Sequence, residues 1–107
     1  MSHGFSVIVL ERILAPIPAD AAFANLDSDS LMVFMSEPAT NLTHWISPAT
    51  QTVFNADQVP ALLQEMEAIA RRPQTSRRVR LNLEELVAYI ERERGSRHEY
   101  FVVFLGN

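Results

Sequence analysis

The chain has 107 residues, 48% apolar and 21% charged, with a net charge of −4 and no cysteine. That length predicts one domain over 1–107 with a single core, and the composition is that of an ordinary globule rather than a disordered chain. Without cysteine, disulfides, thiolate metal sites and thiol nucleophiles are excluded, and the pattern fits a reducing, cytoplasmic setting.

Every cation is Arg, which points to a GC-rich bacterial genome, and the charges are segregated. Residues 1–70 carry Arg12 against eight acids, a balance of −7, whereas residues 71–107 carry eight Arg against five acids, a balance of +3. Such a polarised molecule can steer a charged partner, and its net sign speaks against nucleic acid and for a basic protein.

Segment 4–13, GFSVIVLERI, is apolar and rich in Val and Ile, which predicts a strand. Its apolar run is too short to span a membrane and lacks the basic start of a leader. Prolines end it, and Phe23 and Leu26 predict a short helix that the polar run DSDS stops. The run LMVFMS, apolar throughout, predicts a second strand covered on both sides. The stretch NLTHWISPATQTVFN then predicts a hairpin of LTHWIS and TQTVF around Pro48. Alternation there puts Thr52 and Phe54 opposite Gln51 and Val53, with Trp45 packing across the strands.

A helix follows at about 57–71: Val59, Leu62, Leu63, Met66, Ile69 and Ala70 repeat at helical spacing, Asp57 is the expected N-cap, and Pro73 ends it. A second helix is predicted at about 82–94, opened by an Asn82–Glu85 capping box and stopped at Gly95. The closing run of apolar residues, Tyr100 to Leu105, predicts a central strand. Together these give an α+β fold of two layers, a mixed sheet of about five strands with both main helices on one face.

No spacing of residues defends a catalytic centre. His44 next to Trp45 could serve as a base or ligand with Asp57 or Glu37, but as a lone imidazole it reads more simply as a strand residue, and His3 and His98 complete no metal set. Glu65 and Glu67 diverge on their helix, and Asp27 and Asp29 lack the rest of a calcium loop. Three glycines, Gly4, Gly95 and Gly106, provide no phosphate-cradling loop. No cofactor or metal is therefore predicted. The Arg71, Arg72, Arg77, Arg78 and Arg80 cluster is the candidate anion site, though no aromatic residues interleave it for base stacking. The acids Asp27, Asp29, Glu37 and Asp57, edged by Trp45, form the candidate partner surface.

The functional expectation is a small, non-catalytic, cytoplasmic binding protein, of the immunity or inhibitor kind, that occludes a basic toxin or enzyme. Two alternatives belong to other classes. One is a small enzyme or ligand-binding domain with a pocket near His44 and Asp57. The other is a regulatory or structural homodimer joined through an uncovered sheet face.

Overall fold

The computed structural model describes residues 5–13, 16–18 and 20–106; Gly4 at the predicted start of the first strand and His3 lie outside them. In chain order the elements are β1 (Phe5–Leu10), β2 (Ala24–Leu26), α1 (Ser28–Met35), a 3₁₀ turn (Leu42–Trp45), β3 (Gln51–Asn55), α2 (Val59–Arg71), α3 (Arg77–Arg94) and β4 (Phe101–Leu105). The four strands form one sheet in the order β2-β1-β4-β3, antiparallel at every pairing. The most apolar strand, β4, lies between β1 and β3, as its sequence predicts.

Alternation along the strands sorts the two faces of the sheet. Phe5, Val7, Leu26, Phe54, Val102 and Phe104 point inward and pack with the buried sides of α1, α2 and α3. The expected stripes hold: Leu62, Leu63, Met66 and Ile69 of α2 meet Leu83, Leu86, Val87 and Ile90 of α3 in that core. On the opposite face Ile8, Leu10 and Val103 are also buried, with Ile17 and Ala21 of the β1–β2 connection packed on them. Thus residues of this connection cover the β1 and β4 part of the face that the helices leave, while Gln51 and Val53 of β3 stay exposed on it.

Several elements differ from expectation, each for a local reason. Among the described residues the sheet has four strands, not five, and is antiparallel rather than mixed. The run LMVFM is helix: Asp27 accepts from the amides of Asp29 (2.8 Å) and Ser30 (3.3 Å), capping α1, so DSDS starts a helix rather than ending one. Leu31 and Phe34, three apart, face inward while Met32 and Met35 face out, the periodicity of a helix. The helix predicted around Phe23 is instead β2, paired to β1 through Phe5–Leu26 and Val7–Ala24. The strand LTHWIS is a 3₁₀ turn, so the hairpin does not form; its second half, β3, does, with Thr52 and Phe54 turned in and Gln51 and Val53 out.

The helix starts move as well. Before α2, Asn55 and Gln58 exchange hydrogen bonds, each side chain accepting the other's amide at 3.0 Å, and Asp57 does not cap. Helix α3 begins at Arg77, five residues earlier than the predicted Asn82, because Ser76 accepts the Val79 amide at 3.2 Å. Gly95, at φ +53°, ends α3 as predicted. At Gly106 a Cβ would stand 2.7 Å from the Pro48 carbonyl oxygen and 2.8 Å from those of Ser47 and Thr50. Only glycine lets the 47–50 turn close over the end of β4.

Candidate partner-binding surface

The connection from α1 to β3 is braced twice, by Glu65 in the middle of α2 and by Arg72 just beyond its end. Glu65 reaches the start of the 3₁₀ turn: its Oε2 accepts from the Leu42 amide at 3.0 Å, and its Oε1 from the Thr43 amide at 3.1 Å and the Thr43 hydroxyl at 3.2 Å. A carboxylate at such a position satisfies amides that the turn leaves unpaired. Just past the C-terminal end of α2, Arg72 forks onto Glu37, Nη1 to Oε2 at 2.9 Å and Nη2 to Oε1 at 2.6 Å. Asn41 donates a third bond to Glu37 at 3.3 Å. The Arg72 hydrogen bond holds the Glu37 carboxyl below the usual carboxylate range, outweighing its burial.

His44 completes the loop. Its Nδ1 lies 2.6 Å from the Glu37 carbonyl oxygen; since a carbonyl can only accept, Nδ1 carries the proton. The ring meets Trp45 edge-on, centroids 5.1 Å apart. Trp45 donates from Nε1 to the Ala39 carbonyl at 3.0 Å while the residue remains 62% exposed. It is therefore not the cross-strand packer that a hairpin would require. The neighbouring helix α1 contacts this turn and exposes Met32 (67%) and Met35 (49%). Three large apolar side chains thus face water from two touching elements.

The predicted partner residues are divided by the fold. Asp27 and Asp29 stand at the start of α1, and Glu37 and Trp45 on the loop after it, but two of these acids are already neutralised. Glu37 is buried against Arg72, and Asp27 is bound by Arg78 (Nε to Oδ2, 2.9 Å), with Asp29 3.6 Å from the same guanidinium. Burial works to raise the Asp27 pKa, but the Arg78 bond and the Ser30 and Asp29 amides together bring it below the usual range. Asp57 stands elsewhere, in a cleft of ≈ 680 Å³ at the end of the sheet with Glu11, Arg12, His98, Glu99 and Tyr100. The imidazole that shares this cleft is that of His98, not His44.

The Arg cluster is similarly engaged. Arg71 pairs with Glu67 at 3.3 Å on the surface of α2, and Arg80 donates to the carbonyls of Ala70 (3.0 Å) and Thr75 (3.3 Å), closing the end of that helix. Arg77 makes no ion pair or side-chain hydrogen bond among the described residues. Nor, among those residues, do three or more His, Asp or Glu side chains gather as a metal site would require. No described helix is long and apolar enough to cross a membrane.

Glu65 is the residue that sequence reasoning missed. Its divergence from Glu67 is real, since Glu67 turns to Arg71, but its role depends on amides more than twenty residues away in sequence. Comparison with protein-family models, curated proteins and solved structures finds no match for this chain.

Proposed function

We propose that this chain is a small, non-catalytic, cytoplasmic binding protein that acts by covering another protein, in the manner of an immunity or inhibitor protein directed at a basic toxin or enzyme. The observation that carries this reading is the exposure of Trp45, Met32 and Met35 on a loop and helix held in place by Glu65 and the Glu37–Arg72 fork. Trp is enriched among the residues that dominate interface energies, and a pre-ordered support lowers the entropic cost of docking. The net charge of −4 supplies the negative field that would steer a basic partner.

The test begins with a partner captured from the native host and proceeds to a titration with the purified pair. Trp45→Ala combined with Met32→Ala weakens binding by at least ~30-fold, corresponding to ~2 kcal/mol. Asp57→Arg, remote from this surface, leaves it unchanged. Because Trp45 is the only tryptophan, its emission should shift to the blue as the partner covers it. An affinity indifferent to both truncations places the contact elsewhere.

A second reading, a ligand-binding domain, is supported by the cleft at the sheet end. Its ≈ 680 Å³ is within the range of small-molecule sites, and Asp57, His98 and Arg12 offer polar groups of both signs.

A further inference from the structure

The two edges of the sheet are finished differently. At the β2 edge, α3 supplies side chains that occupy the backbone: Asn82 donates to the Asn25 carbonyl at 2.8 Å and accepts from the Asp27 amide at 2.9 Å. Tyr89 donates to the Ala22 carbonyl at 2.8 Å and accepts from the Val9 amide at 3.3 Å. At the other edge, β3 pairs with β4 alone.

The register of β3 shows which of its groups remain. The Gly106 amide donates to the Thr50 carbonyl, directly across the ladder, so hydrogen-bonded pairs continue at Thr52–Phe104 and Phe54–Val102. The amides and carbonyls of Gln51, Val53 and Asn55 therefore point away from β4. Those of Asn55 are taken by Gln58, whose side chain accepts from the amide and whose own amide donates to the carbonyl, both at 3.0 Å. For Gln51 and Val53, no partner exists among the described residues. Both side chains are exposed, and the strand QTVFN contains no charge, no proline and no bulge, the features that normally guard an open edge.

We infer that β3 is an interface for a second copy of this chain, the two strands pairing antiparallel about a two-fold axis at Thr52 to form a continuous eight-stranded sheet. That register places Gln51 opposite Val53 of the second copy, and its symmetry mate does the same, so four backbone hydrogen bonds use the four free groups on each side. A two-fold at Val53 would instead require the Asn55 groups that Gln58 already holds. On the inner side Thr52, whose hydroxyl oxygen accepts from the Ser47 amide at 3.3 Å and can still donate, meets Thr52 of the second copy, and the neutral strand brings no like charges together. The four groups are self-complementary in this register, which favours a second copy over a foreign strand. This inference uses none of the side chains of the surface proposed above, and either stands without the other.

Sedimentation equilibrium of the full chain tests it. The wild type associates reversibly with rising concentration. Val53→Pro removes an amide that faces away from β4, so one copy keeps its fold, checked by circular dichroism, while the dimer Kd rises by about tenfold or more. Gln51→Lys with Val53→Lys abolishes the dimer, whereas Gln51→Glu with Val53→Lys places opposite charges face to face and restores it. In this cysteine-free chain, Thr52→Cys closes an intermolecular disulfide on mild oxidation, because facing residues of a non-hydrogen-bonded pair lie within disulfide reach. A wild type that stays monomeric at every concentration overturns the inference. So does a dimer that none of these substitutions moves.

Discussion

A carboxylate withdrawn from water needs partners, and Glu37, only 6% exposed, has them in the Arg72 fork and the Asn41 amide. Glu37→Gln removes the charge and leaves the shape. Because the Arg72 guanidinium keeps contact with water, the loss at neutral pH is moderate, about 1–2 kcal/mol in chemical denaturation. The sign of its pH dependence follows from a folded pKa below the unfolded one. The stabilisation is present at neutral pH and fades as pH falls from the ordinary Glu value of about 4.3 through the lower folded value. The difference between wild type and variant therefore narrows in acid, and a gap that stays constant down to strongly acidic pH removes Glu37 from the account. From sequence alone, Glu37 and Asp27 read as free surface acids, because their arginines lie 35 and 51 residues away.

At the scale of elements, the runs with a long period were readable and the short ones were not. Six buried positions over α2 and six over α3 give a stripe that no strand could produce. A five-residue apolar run such as LMVFM fits either a covered strand or a short helix, and the Asp27 cap decides it. Helix α3 shows why boundaries slip: Asn82 and Glu85 have the spacing of a capping box, yet Asn82 lies within the helix and reaches across to β2 and the start of α1. Asn82→Ala should destabilise by ~1–3 kcal/mol, the cost of leaving an amide and a carbonyl without partners. Alanine's better helix propensity, worth less than ~0.7 kcal/mol, does not offset that loss. Faster hydrogen exchange at the Asp27 amide would accompany it; unchanged exchange and stability would mean that water replaces the side chain without penalty.

Across the whole molecule, the acidic first part and basic second part do not form two separate poles. Arg72 and Arg78 cross to Glu37 and Asp27, so folding cancels much of the polarity that the linear sequence displays. The acids left in the open include Asp57 and Glu99 at the sheet end, where the ends of β1 and β3 meet the start of β4 around the cleft. If that cleft takes a small ligand, compounds that raise the melting temperature of the wild type will lose their effect on Asp57→Ala and His98→Ala. Stabilisation that persists in both variants assigns those compounds to another site.

The sequence by itself determined the α+β class, the two long amphipathic helices, the inward side of β3 and the central place of β4, because burial leaves a periodic mark in a local stretch of chain. Only the tertiary structure decided the 3₁₀ turn that Glu65 holds, the pairing of Glu37 with Arg72, the separation of His44 from Asp57, and the contrast between a sealed and an open sheet edge. These depend on groups far apart in the chain that meet only once the core has formed, and no periodicity encodes such a meeting.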